Sequence, residues 1–293
     1  MSFQIFTDTS ANLPGALAEE KSLRIIPFTY RAEGKEMSCT DPEDFDGDGF
    51  YERIRKGLTV TTSQVTPQTY IDSFRPVLEA GRDILFISMS SGISGSFASS
   101  AVAAAELGEE FPERHIELVD TMGASLGEGL IALKAAEYRD DGIDLLDTAL
   151  LLRDMSGRMC QIFTVDDLMH LRRGGRLSNL SAVVGTVLNI KPLLKGNEEG
   201  KIVAFRKVRG RRSSINAIAE LYARLVRSPE KQTVGIAQAG CREDAELLRE
   251  LISKMVPARE ILSVQYEPVT GAHVGPGALA LFFLGDDNVR QAL

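Results

Sequence analysis

The chain reads as a two-domain α/β protein, a Rossmann-like parallel-sheet domain followed by an α+β sandwich. Three observations predict this. Short apolar runs alternate with helical patterns through the first half, and such strand–helix repetition builds a parallel sheet covered on both faces. From about Gln161 the order changes, and a hairpin and further strands come between the helices. The length, 293 residues, is one at which single cores stop growing and chains divide. The division is expected between residues 155 and 161, giving domains 1–158 and 159–293.

In chain order, "FQIF" is the first strand, and Asp8, Ser10 and Asn12 supply turn and cap chemistry before the helix "PGALAEEK". "RIIPFTYRAEGKEMSC" reads as two short strands around a turn at Glu33-Gly34. "DFDGDGFYERIR" mimics a calcium loop, with Asp44, Asp46 and Asp48 spaced by two. Its twelfth position is Arg55, where such a site needs a bidentate Glu, so an acidic turn into an amphipathic helix explains it as well. "VTTSQVTPQTYIDSF" reads as a hydroxyl-rich loop, Thr61 to Thr66, capping a helix that starts at Pro67. Next come strand "DILFI", the small Ala-rich helix "SFASSAVAAAEL", strand "HIELVD" and helix "SLGEGLIALKAAEYRDDG".

The second half opens with strand "QIFTV", helix "DDLMHLRRGG" stopped by two glycines, and a helix "LSNLSAVVGTVLN" capped by Ser178. "KPLLKGNEEGKIVAFRKV" is a hairpin turning at Gly196–Gly200. Helix "SINAIAELYARLV", strand "TVGIAQA", helix "EDAELLRELISKMV" and strands "ILSVQYEPV" and "ALALFFL" complete the chain.

Composition narrows the function. With 44% hydrophobic and 25% charged residues the chain is an ordinary globular protein. No apolar run reaches the roughly 18 residues of a membrane span, so stable membrane insertion is not expected. "MSFQIFTDTS" has neither the basic start nor the apolar run of a secretory leader. Cys39, Cys160 and Cys241 lie far apart with no CxxC pair, which fits free thiols in a reducing cytoplasm. A net charge of −8 speaks against general nucleic-acid binding. Yet Arg172 to Arg212 holds 11 Lys/Arg against two acids, Glu198 and Glu199. That segment is a solvated basic face, a docking surface for an acidic partner, help in holding an anionic ligand, or a nucleic-acid surface.

Ligands of open parallel sheets sit beyond the carboxyl ends of strands, where Asp8, Ser88–Ser94 and Asp120–Ser125 are all expected on one rim. "GISGS" resembles a nucleophile elbow but puts Ser96 where the second glycine belongs. A P-loop lysine and a G-x-G-x-x-G fingerprint are also missing there. What remains is a loop of amides and hydroxyls opening a helix, suited to an anion. "LRRGGRLSN" places Arg176 after two glycines, and "GAHVGPGAL" places His273 in a stiff Gly/Pro turn before an apolar strand. His115 is expected on the surface, and His170 in a helix, packed or solvent-facing.

In order along the chain, "FTDTSANLP", "TTSQVTPQTYIDSF", "ISMSSGISGSFASSA", "LVDTMGASLGEGL", "LRRGGRLSNLSAVVGTVLNIKPLL", "KIVAFRKVRGRR" and "HVGPGALALFFLG" resemble the motifs of the DegV family. The likeness runs from Phe3 to about Gly285. It implies a two-domain EDD fold holding one long-chain fatty acid of the palmitate or oleate class in a buried tunnel. It also implies a non-catalytic lipid carrier in the cytoplasm, with no metal and no cofactor beyond that acid. Some family members serve as the binding subunit of a bacterial fatty acid kinase, presenting the carboxylate to a separate ATP-dependent subunit; transient membrane contact would accompany loading. Carried over residue by residue, the carboxylate hydroxyls are Thr62 and Ser94, the accompanying arginine is Arg176 and the histidine is His273. Asp8, Ser63, Ser91, Gly92, Gly95 and Asp120 belong to supporting loops, and Arg209 matches a partner-docking position. Three departures stand out: "DTSANLP" replaces the usual "DSTADLP", Val65 follows "TSQ", and Val274 follows the histidine. An alternative reading is a serine hydrolase or acyltransferase using Ser94, His273 and Asp120.

Overall fold

The structure, a computed structural model, describes residues 3–39, 45–178 and 189–292. Strands and helices are numbered in chain order. The first sheet is parallel throughout, in the order β2 (Leu23–Ile26), β1 (Gln4–Asp8), β6 (Ile84–Ser88), β7 (Ile116–Asp120). The strand order reverses between β1 and β6, and ligands of such sheets sit beside that switch. Successive side chains of a strand alternate faces. Phe6 therefore meets Phe74 of α3 (Pro67–Glu79), while Thr7 bonds Glu128 of α5 (Leu126–Asp140). Helix α4 (Ser96–Glu110) packs on α3.

Helix α6 (Leu145–Arg158), not expected from the sequence, packs on α5 and β7. The Asp144 carboxylate caps it, accepting from Asp147 N at 2.9 Å. A short α1 (Gly15–Glu20) links β1 to β2.

A small antiparallel sheet follows, in the order β4 (Lys35–Ser38), β3 (Thr29–Ala32), β5 (Val60–Ser63). The expected turn at Glu33-Gly34 joins β3 to β4, with both φ values positive at 52° and 75°, the backbone a two-residue hairpin demands. The start of the expected hydroxyl loop, by contrast, is strand: Thr61, Thr62 and Ser63 pair with Arg31, Tyr30 and Thr29. Branched Val and Thr side chains favour the pleat, and the loop proper begins only at Gln64. The acidic turn leads into α2 (Gly47–Arg55) as a cap: Asp46 accepts from Gly49 N at 3.0 Å. Asp48 pairs with Arg242 and accepts from Gln265, and Asp44 lies outside the described residues.

The third sheet has six strands in the order β10 (Ile202–Arg209), β9 (Ile190–Gly196), β8 (Met159–Thr164), β13 (Leu279–Leu284), β11 (Thr233–Gln238), β12 (Glu260–Gln265). Only β11 and β12 run parallel. Alternation along β13 assigns its two faces. Leu279, Leu281 and Phe283 join a core with α8 (Arg211–Leu225) and α9 (Arg242–Met255), while Ala280 and Phe282 face a second core continuous with the first sheet. β8 does the same, with Cys160 and Ile162 on one side and Phe163 on the other. One apolar cluster thus spans both sheets, and the inner face of the third sheet forms one wall of the space between them.

Two expectations for the second half change. The strand expected at "ILSVQYEPV" stops at Gln265, and Pro268–Val274 forms a helix, α10. Glu267 caps it, accepting from Val269 N and Thr270 N at 2.5 and 2.6 Å, and Pro268 presets the first turn. His273 therefore stands on a helix, and the Gly275–Gly277 turn follows it. The short α7 (Met169–Arg173) ends at Gly174 and Gly175 as expected. The helix expected from Leu177 to Asn189 falls mainly on residues outside the described ones, and Ser178 N bonds Ile202 O at 3.0 Å.

Candidate ligand-binding site

Between the two large sheets lies a pocket whose empty space, counting the open solvent at its mouth, is about 840 Å³. Phe163 and Phe282 come from the inner face of the third sheet; Met89, Ile93 and Ser94 come from the β6–α4 loop, and Met122 to Ser125 from the β7–α5 loop. Thr62 and Ser63 enter from β5, Arg176 from the loop after α7, and His273 from α10. Five residues predicted from sequence thus line one space, although Thr62 and His273 are 211 positions apart.

Their polar groups are organised. Thr62 Oγ1 lies 2.8 Å from His273 Nε2. Burial, and secondarily the Arg176 guanidinium, lowers the His273 pKa to about 4, so the imidazole is neutral at pH 7. Gly174 permits this placement, since a Cβ there would lie 2.4 Å from His273 Nδ1. Arg176 donates from Nε to Ile93 O at 3.1 Å and from its terminal nitrogen to Gly174 O, which ties the serine–glycine loop to the second half of the chain. Ser94 Oγ accepts from Ser96 N at 3.2 Å and lies 3.0 Å from Ser96 Oγ.

Apart from Ser63, the predicted supporting residues lie outside the pocket lining. Asp120 accepts from Met122 N at 2.8 Å and Ser91 N at 3.3 Å, fastening the two loops together. Gly92 presses on the β9–β10 turn, where a Cβ would sit 2.4 Å from Glu199 O. Gly95 lies against the Gln64 side chain. Asp8, expected on the rim, is fully buried beneath it. Arg209 is exposed on β10, away from the pocket lining. His115 is exposed, and His170 is half-buried on α7.

Ser94, His273 and Asp120 do not form a relay among the described residues. Each is hydrogen-bonded elsewhere: Ser94 to Ser96, His273 to Thr62, Asp120 to two amides. A nucleophile needs a base within hydrogen-bond reach.

Sequence reading placed Ser125 on the rim within Asp120–Ser125 but missed its motif. Gly123-Ala124-Ser125-Leu126-Gly127 satisfies G-x-S-x-G between β7 and α5, and Ser125 has φ 55° and ψ −143°. Holding a serine there costs on the order of 1–3 kcal/mol. Its Oγ is buried and makes no hydrogen bond among the described residues, so no base activates it. The pattern itself was the signal.

Under the site, Ser10 Oγ lies 2.6 Å from Asp8 Oδ1 and 2.5 Å from Glu128 Oε2. One hydroxyl carries one proton, so a carboxyl must supply the other. Burial raises both groups, Asp8 to about 6 and Glu128 well above its ordinary value, and Glu128 holds the proton. The folded state then binds protons better than the unfolded chain, so this group's contribution to stability is lost as pH rises past about 4.5. Glu128→Gln escapes that loss, because its amide donates to Ser10 at any pH. Its melting temperature relative to the parent chain is expected to rise from about pH 5 to about pH 8. Calorimetry over that range checks this, and a flat or falling difference would contradict it.

Among the described residues no cluster of His, Cys, Asp and Glu could hold a metal ion, and no helix is long and apolar enough to cross a membrane.

Comparison with known proteins agrees with this architecture. A DegV-domain-containing protein of Clostridium perfringens is 35% identical over 284 residues, covering 97% of this chain and 98% of its own. A solved DegV family protein from Thermus thermophilus, described by its fatty acid binding, superposes with a TM-score of 0.88 at 27% identity, covering 98% of this chain and all of its own. Bacillus subtilis DegV, described as a fatty acid binding protein, superposes with a TM-score of 0.83 at 30% identity over the same shares. The family model described as "Uncharacterised protein, DegV family" matches residues 2–286, and with that span and these relatives the chain belongs to the DegV family.

Proposed function

We propose that this protein binds one long-chain fatty acid, with its carboxylate at Thr62, Ser94, Arg176 and His273 and its hydrocarbon between the two sheets. The observation that carries the reading is the meeting of Thr62, His273, Ser94 and Arg176 on one otherwise mainly apolar pocket. The fatty acid binding described for the Thermus and Bacillus relatives supports it. A carboxylate leaving water needs charge-assisted donors, each worth about 1.5–3 kcal/mol. The neutral His273 has a positioning part: with the proton on Nε2 it donates to Thr62 Oγ1, which frees the threonine hydroxyl to donate to the ligand. An acyl tail adds about 0.8 kcal/mol per buried methylene before association costs. The tail supplies affinity and the polar cluster sets orientation.

The same reading gives a carrier, cytoplasmic and without a catalytic residue of its own, that presents the acyl carboxylate to a separate ATP-dependent kinase subunit for phosphorylation. The domain boundary in this account is 158/159. Arg209 docks the kinase: it is exposed, and it makes no ion pair or side-chain hydrogen bond among the described residues. Displacement of a fluorescent fatty acid tests the pocket. Thr62→Ala and Ser94→Ala are each expected to weaken palmitate binding about tenfold without lowering the melting temperature by more than a few degrees. Arg209→Ala is expected to bind palmitate like the parent chain while acyl phosphate formation with the kinase subunit falls. Release of lipid by Arg209→Ala would contradict the separation of pocket from docking face.

A further inference from the structure

We infer that Asn12 and Tyr51 are positioning residues for the carboxylate site, holding from the first half of the chain the start of the helix that carries His273. The inference rests on the fatty-acid reading and adds to it the side chains that place the head-group cluster. Three consecutive residues ahead of α10, Gln265, Tyr266 and Glu267, each give one backbone group to a buried side chain from the first half. Asn12 Nδ2 donates to Gln265 O at 2.8 Å, Tyr51 Oη donates to Tyr266 O at 2.7 Å, and Glu267 N donates to Asn12 Oδ1 at 2.6 Å. Asn12 and Tyr51 are both fully buried. The Asn12 amide uses both its ends here, where a carboxylate could only accept.

These bonds set the place of α10, and α10 sets the place of His273. A helix of seven residues has little stability of its own, so its direction follows from what fixes its first turn. Glu267 is the pivot: its carboxylate caps the helix through Val269 N and Thr270 N, while its own N–H is held by Asn12. The Tyr51 hydroxyl also fills the space against Gly271, where no Cβ would fit, so it bears on the middle of α10 as well. His273 stands at the far end of this helix, with Nε2 2.8 Å from Thr62 Oγ1. That contact tolerates little displacement, because hydrogen bonds weaken steeply as their angle bends. Neither Asn12 nor Tyr51 lines the pocket, so both act through α10. Asn12 has φ 57° and ψ 31°, a backbone that asparagine accepts better than most residues and glycine accepts freely. Asn12→Gly therefore removes the side chain without straining the chain.

The test compares dissociation constants, by displacement of a fluorescent fatty acid, for palmitate and for hexadecanol, an alcohol of the same chain length without the carboxylate. The parent chain is expected to prefer palmitate about tenfold. In Asn12→Gly palmitate is expected to bind about tenfold more weakly and hexadecanol within about twofold of the parent value, so that the preference disappears. Tyr51→Phe removes one hydroxyl and is expected to cut the preference about threefold; it carries the test if Asn12→Gly does not fold. A side chain that merely stabilised the fold would weaken both ligands alike. Two results would overturn the inference: folded variants that keep the parent's preference, or variants that lose palmitate and hexadecanol in equal measure. A parent chain that binds both ligands equally has no carboxylate site to position, and the inference fails. If the parent binds neither, the fatty-acid reading fails and the inference falls with it.

Discussion

Arg176→Ala is expected to weaken long-chain fatty acid binding by roughly 10- to 100-fold, the largest single effect on affinity in this site. Two of its donors hold Ile93 O and Gly174 O, and the remaining guanidinium N–H groups face a pocket whose other head-group donors are uncharged. Alanine removes the cation and also the tie between the serine–glycine loop and the second half of the chain. Arg176→Lys restores charge without the planar fork, so it is expected to recover only part of the loss. Fluorescent fatty acid displacement, read beside the melting temperature, checks both variants. Unchanged affinity in Arg176→Ala would place the carboxylate elsewhere.

The largest expected effect on stability is Phe86→Ala, about 3–5 kcal/mol. Phe86 is fully buried in β6 at the centre of the first sheet, with its ring 5.1 Å from Tyr70 and 5.8 Å from Phe74. The melting temperature is expected to drop by about 10 °C. Because β6 runs directly into the Met89–Ser94 loop, fatty acid affinity is expected to fall as well. A loss below about 1 kcal/mol would mean that the first sheet is not the support of the site.

The architecture was legible where one physical signal dominated. "DILFI" and "ALALFFL" are apolar because both faces of their strands are covered, and the Glu33-Gly34 turn follows from a backbone that only few residues accept. Legibility failed where two signals competed. The hydroxyls of Thr61 to Ser63 suggested a loop, yet their branching and the unpaired edge of β3 made a strand. "HVGPG" drew attention to its glycines, while the structure of that stretch is decided upstream by Glu267 and Pro268, whose capping role is a matter of geometry. The meeting of Thr62, Ser94, Arg176 and His273 on one pocket was readable from motifs. The G-x-S-x-G pattern around Ser125 was readable too, but its lack of a base is a tertiary fact that no local sequence reveals. Asp8 was expected on a rim because its strand ends there, but burial beside Glu128 is a tertiary fact.

The central claim is that the space between the sheets holds one acyl chain by its acid end. Native mass spectrometry of the purified protein tests it most directly. The account predicts one added mass per chain, matching a long-chain fatty acid, that is lost on mild activation and reduced in Arg176→Ala. A protein that carries no such mass and takes up none from added palmitate would contradict it.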